Sequence, residues 1–115
     1  MPHVGFAIPV LPGKTDLDRD ALASCWRGDR RAAYEDARRR AGITKEAVWI
    51  QAIRTGDLAV FYLEADDLDA AFGVLGGSVA PFDQWFREHL QEVHGIELTN
   101  DVPVPELLLD YDSQA

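Results

Sequence analysis

The chain has 115 residues, 47% hydrophobic and 27% charged, the composition of one ordinary globular domain, 1–115, with enough material to bury a core. Its formal charge of −9 argues against a nucleic-acid binder, whose affinity runs on phosphate neutralisation, and against docking on an anionic membrane. No apolar run approaches the ~18 residues of a spanning helix, the start MPHVGFAIPV lacks a basic signal-like region, and the single Cys25 excludes a disulfide framework or a cysteine metal cluster, so a cytoplasmic protein with no metal or cofactor is the expectation.

From the N-terminus, Val4, Phe6 and Ile8 alternate with Gly5, Ala7 and Pro9, predicting a strand over His3 to Val10 that ends at a Leu11-Pro12-Gly13 turn. Thr15 and Asp16 are good helix caps, and Asp18 and Asp20 suit the positive end of a helix dipole. One long helix is expected from about Asp18 to Arg40. Leu22, Trp26, Ala33 and Ala37 recur at helical spacing, Cys25 sits alongside as a small core residue, and Gly42 is a good stop. Gly28 weakens the middle by roughly 1 kcal/mol relative to alanine and opens it to a kink or a close approach.

The best-defined stretch is Glu46 to Asp67, two runs rich in Val, Ile, Trp, Phe and Tyr on either side of Thr55-Gly56-Asp57, a β-hairpin pattern. A turn at Thr55-Gly56 or at Gly56-Asp57 leaves the same residues on each face. One face carries Val48, Ile50, Ala52, Ala59, Phe61, Leu63 and Ala65, all apolar. The other carries Trp49, Gln51, Ile53, Leu58, Val60, Tyr62 and Glu64, mostly apolar but studded with hydrogen-bonding groups. A sheet with one wet face would alternate with plainly polar residues, so a sheet covered on both sides is expected, with a partner subunit as the second cover.

After the hairpin, Asp66 or Asp67 caps a short helix over Leu68 to Leu75, cut by Gly76-Gly77-Ser78. Pro81 opens the last helix, whose Phe82, Trp85, Phe86, His89, Leu90 and Val93 share a face and which His94-Gly95 closes. Beyond Ile96, a turn region at Asn100-Asp101 and two prolines, Pro103 and Pro105, precede a last strand over Glu106 to Tyr111, and Asp112 to Ala115 reads as a frayed tail.

The predicted order is β-α-β-β-α-β, the ferredoxin-like split motif: an α+β fold with a four-stranded antiparallel sheet and helices on one face. With its two-faced strands Ala47 to Arg54 and Leu58 to Ala65, the chain resembles the dimeric α+β barrel superfamily, which includes antibiotic-biosynthesis-monooxygenase-like, EthD-like and stress-responsive barrel proteins. The resemblance implies a homodimer in which two sheets face each other around a pocket for a small molecule. Haem-degrading members use an Asn, a Trp and a His together. The only asparagine here is Asn100, in a loop, so that activity does not carry over.

Two constellations are candidates for chemistry. Asp29 falls in the apolar stripe of the expected long helix and His89 in that of the last, so a carboxylate orienting an imidazole is one reading and a structural hydrogen bond the commoner one. Trp49, Gln51, Tyr62 and Glu64 on the outer hairpin face form the second set. They suit either a pocket for an aromatic ligand, with Tyr62 and Glu64 moving a proton, or a dimer interface whose rings pack. Arg38-Arg39-Arg40 is a basic run best read as a solvated helix face, and Gly76-Gly77-Ser78 as a plain break between helices. The leading expectation is a homodimeric barrel protein with a pocket for a small hydrophobic or aromatic ligand. The alternatives are a cofactor-free monooxygenase or isomerase acting on an aromatic or polyketide-like substrate, and a structural protein whose barrel is filled by side chains.

Overall fold

The hairpin organises the structure, as a computed structural model describes it for residues 2–98 and 105–114. Strand β2 (Ile43–Ile53) pairs antiparallel with β3 (Gly56–Ala65), and β3 pairs on its other side with β1 (His3–Pro9), so the sheet order is β1-β3-β2. Ile53 lies opposite Gly56, which puts the turn at Arg54 and Thr55, earlier than the Thr55-Gly56-Asp57 expectation. Gly56, at φ 140°, takes the backbone conformation that a side chain would resist. The registers differ by an even number of residues, so the faces survive the correction: Val48 lies across from Phe61, and Ile50 from Ala59.

Helix α1 (Thr15–Arg27) begins after a turn in which Gly13 has φ 80°. The expected single helix to Arg40 is two, because α1 stops at Gly28 and α2 (Arg31–Arg40) starts anew. Ser24 builds the corner. Its carbonyl accepts from the Gly28 and Arg30 amides at 3.2 and 3.0 Å, and its hydroxyl accepts from Arg30 Nη1 at 2.9 Å. A Cβ at Gly28 would stand 2.9 Å from the Ser24 Cα, a backbone atom that cannot step aside. Gly28→Ala is therefore expected to cost about 1–3 kcal/mol, the range for forcing an atom into packed structure. Urea unfolding of the variant checks this, and an unchanged midpoint would show that the corner yields freely.

Helix α3 (Leu68–Gly77) is capped by Asp67, whose carboxylate accepts from the Ala70 amide at 3.1 Å. Arg87 of α4 (Pro81–His94) donates to the carbonyls of Leu75 and Ser78 at 2.9 and 2.6 Å, so the glycine-rich break is a clamped corner. Pro81 opens α4, and Gly95 at φ 67° ends it, as the sequence predicts. The carbonyl of Pro9 can only accept, so the 2.8 Å contact from His94 Nδ1 fixes the proton on that nitrogen and ties the end of α4 to β1.

All four helices lie over one sheet face. Ile8, Ala59 and Phe61 pack with Cys25, Ala37, Phe82, Phe86, Leu90 and Val93, while Leu63 and Ala65 pack with Ala71 and Leu75. The outer face, with Trp49, Gln51, Tyr62 and Glu64, contributes nothing to either cluster. The result is an α+β fold with a three-stranded antiparallel sheet and four helices among the described residues. The expected fourth strand over Glu106 to Tyr111 is not formed: 105–114 carry no strand pairing, and Leu107, Leu108, Leu109 and Tyr111 are largely exposed. Pro105 offers no N–H to a ladder, and apolar residues make a strand only where a neighbouring strand accepts them. The expected turn at Asn100 and Asp101 and Pro103 fall outside the described residues. No described helix is long and apolar enough to cross a membrane.

Candidate functional site

Between α1, α2 and the edge strand β2 lies a cavity of about 550 Å³. Apolar walls come from Leu22 and Trp26 of α1, Val48, Trp49 and Ile50 of β2, and Phe86 of α4. The volume falls in the range of small-molecule pockets, and so does the character of the lining. The break at Gly28 is what makes the opening. A continuous helix would keep Trp26 on the stripe shared with Ala33 and Ala37, whereas the corner leaves Trp26 67% exposed at the rim, with the Arg27 guanidinium 3.7 Å above its ring.

The buried polar part of the lining is Tyr34, Arg38 and Glu46, while Arg19, paired with Asp16 at 2.7 Å, lies at the exposed rim. Tyr34 donates its hydroxyl proton to Glu46 Oε1 at 2.5 Å, and Arg38 donates from Nε to the same oxygen at 2.7 Å. The Arg38 guanidinium also lies 4.6 Å from the centre of the Phe86 ring and 4.8 Å from that of Tyr34, so aromatic faces replace part of the water it gives up. Burial, reinforced by the neighbouring Glu46 carboxylate, pushes the Tyr34 phenol far above its ordinary value. Burial works against the charge on Arg38, but Glu46 and Tyr34 more than offset it and raise the guanidinium further. Burial also raises the Cys25 thiol, which lines the same cavity, and that makes it a poor nucleophile. The polar floor is thus a charged, hydrogen-bonded pair with a protonated phenol and thiol beside it.

The residues singled out from the sequence are distributed differently. Asp29 lies in the exposed turn between α1 and α2, and His89 pairs instead with Asp18, Nε2 to Oδ1 at 2.8 Å, with both side chains buried. The break in the helix is the reason for this correction. Counted from Cys25, the inward face of α1 runs back through Ala21 to Asp18, and the phase does not continue to Asp29. The His89 ring also stacks on Trp85 at 5.4 Å. Neither Asp18 nor His89 lines the cavity. Trp49, Gln51, Tyr62 and Glu64 share the outer sheet face, and only Trp49 reaches the cavity. Tyr62 donates to Glu64 Oε2 at 2.8 Å, a bond that raises its phenol, with Asp110 adding to the effect.

Sequence reasoning missed Tyr34, Arg38 and Glu46. Arg38, read as part of a solvated run, is buried, while Arg40 serves Asp36 and the buried Asp83 at 2.9 and 2.8 Å. The signal was present in the parity of the hairpin. Glu46 shares its face with Val48 and Ile50, so a carboxylate stood at an inward position that demanded a partner. No cluster of metal-ligating side chains occurs among the described residues. No protein-family model, curated protein or solved structure matches the chain, and the site is read from its own geometry.

Proposed function

We propose that the protein is a small ligand-binding module whose cavity takes a compact hydrophobic or aromatic molecule, and that it works as a homodimer. The observation that carries the first part is the cavity of about 550 Å³ with aromatic and aliphatic walls. Binding is favoured over turnover by the state of the polar floor. Tyr34 and Cys25 are held protonated and Glu46 is tied through one oxygen to both Tyr34 and Arg38, an arrangement that suits a fixed floor better than a mobile proton carrier. The monooxygenase or isomerase reading would have to place its proton transfer on Tyr62 and Glu64, which lie on an open face away from the cavity.

The homodimer is supported by the same outer face. Trp49 is 56% and Ile53 43% exposed on a sheet side that no helix covers, and Leu107 to Leu109 project from the C-terminal segment. A second copy of this chain, meeting sheet to sheet as in a dimeric α+β barrel, would cover both. The order β1-β3-β2, with β3 central, is compatible with a ferredoxin-like sheet to which Glu106 to Tyr111 would add a strand on assembly.

The cavity is tested with a neutral aromatic probe, 2-naphthamide. Titration should shift the indole N–H resonances of Trp26 and Trp49 at micromolar to millimolar probe. The variant Ala23→Trp, which adds a ring to the exposed side of α1 that lines the cavity, should abolish the shifts while leaving the circular dichroism unchanged. Binding that ignores Ala23→Trp would place the probe elsewhere and sink the reading.

A further inference from the structure

The sheet has two open edges among the described residues, β1 and β2, and they differ in what they offer a further strand. The Val10 N–H donates to the Asp57 carbonyl and the Ala65 N–H to that of Pro2, at 2.9 and 3.1 Å, so the odd-numbered residues of β3 serve β1 and the even-numbered ones serve β2. Through the register, Ala47, Trp49 and Gln51 are engaged with β3, while Glu46, Val48, Ile50 and Ala52 turn their N–H and C=O groups outward. No described backbone group bonds them. On β1 the outward set is His3, Gly5, Ala7 and Pro9, and Pro9 brings no N–H. Edges are ordinarily guarded by proline, lysine or a bulge. From Glu46 to Ile53 β2 has none of these, its register shift lying between Ile43 and Lys45.

The larger cavity runs along this unguarded edge. Five consecutive residues of β2, Glu46 to Ile50, line it, and because successive residues of a strand belong to opposite faces, the cavity borders the edge itself. A strand laid there would hang its inner side chains in the cavity, under α1 and α2, and leave the alternate ones beside Trp49. Glu106 to Tyr111 is a segment of that kind. It matches Glu46 to Ala52 in length, pairs with no strand, and as a strand would put the largely exposed Leu107, Leu109 and Tyr111 on one side and Glu106, Leu108 and Asp110 on the other. Within one chain it lies at the opposite edge, with Asp110 Oδ2 3.9 Å from His3 Nε2 at the start of β1.

We propose that the open edge of β2 receives Glu106 to Tyr111 of a second copy as an added strand, with Leu107, Leu109 and Tyr111 entering the cavity. This contact rests on the homodimer reading and deepens it, and it makes the arm and the small-molecule ligand competitors for one space, each weakening the other's binding.

Amide hydrogen exchange on the intact chain tests the contact. At millimolar protein, the amides of Glu46, Val48, Ile50 and Ala52 should exchange about tenfold or more slowly in the parent than in Leu107→Asp/Leu109→Asp, whose changes fall at exposed positions and leave the fold of one chain unaltered. Adding excess unlabelled parent to the isotope-labelled variant should restore the protection, because a second copy then supplies the arm. The variant should also bind 2-naphthamide about threefold or more tightly than the parent, its cavity being free of leucines. Equally fast exchange in parent and variant would overturn the proposal. Equally slow exchange would overturn the arm as the occupant and point to β2 pairing with β2 of the second copy. Protection lost in the variant and not restored by added parent would place the arm on its own chain and overturn the exchange between copies. Protection that follows the arm, with no response of any form to 2-naphthamide, would uphold the contact and sink the small-molecule reading alone.

Discussion

Glu46→Ala is expected to destabilise the protein by about 3–5 kcal/mol, the cost of leaving a buried charge without its partner. Arg38 and Glu46 have side chains 6% and 8% exposed, so the guanidinium left behind has little access to water. Tyr34 loses its acceptor in the same step. A domain of this size has roughly 5–15 kcal/mol in total, so the variant should melt far below the parent and unfold at low urea. Arg38→Met/Glu46→Gln should recover a large part of the loss, because a buried ion pair contributes little beyond its own desolvation and is harmful mainly when broken on one side. A urea series on the three proteins decides this. A cost under about 1 kcal/mol for Glu46→Ala would mean that water reaches Arg38, and the floor of the cavity would have to be redrawn.

The same pair gives a pH dependence with a definite sign. The folded state holds the Tyr34 proton well above the ordinary value of 10.0, whereas the unfolded chain releases it near there. The folded state therefore binds more protons above about pH 10, and stability must fall as pH rises through that region. Below it the contribution is fully present. Glu46→Ala removes the carboxylate that reinforces the effect of burial, so the alkaline fall should be shallower in the variant than in the parent.

The faces of the hairpin were legible in the sequence because strand periodicity is local and insensitive to register. An even slip moves the turn from Thr55-Gly56 to Arg54-Thr55, yet Val48, Ile50, Ala59 and Phe61 stay inside. Helix phase is less forgiving. Gly28 was visible as a weak point, but that the chain turns there follows from the Ser24 carbonyl taking two amides, which composition does not announce. Once α1 ends, every residue beyond it is re-phased, so Asp29 leaves the core while Asp18, counted back from Cys25, enters it. The floor of the cavity was legible in part. Glu46 had the parity of a core position, whereas Arg38 sat in a run of three arginines that looks uniformly solvated. Tertiary packing, with Ala37 at 0% exposed beside it, decides which of the three goes in. The last strand was misread for a different reason. Leu107 to Leu109 have the composition of a buried segment, yet all three are largely exposed, since residues 105–114 pair with no strand of the sheet.

That mismatch leads to the second large effect: the protein is expected to run as a dimer of twice its chain mass in sedimentation and native mass spectrometry, and Val60→Asp should make it a monomer. Val60 sits on the central strand of the outer face, opposite Ala7 on one side and Trp49 on the other, where a second copy would leave a carboxylate desolvated without a partner. The sheet alone is a small interface. Three strands about 4.8 Å apart and some ten residues long at about 3.3 Å each present roughly 500 Å², against the roughly 800 Å² per partner of a stable complex. The C-terminal leucines supply the remainder if they lie on the second copy. Leu108→Asp, at a position 86% exposed and so without consequence for the fold of one chain, should weaken the dimer by about 2 kcal/mol or more, roughly thirtyfold. Loss of the dimer in Val60→Asp with full retention in Leu108→Asp would confine the interface to the sheet. A parent protein that stays monomeric at millimolar concentration would remove the second copy as the cover of this face, and the exposed leucines would then require a different occupant.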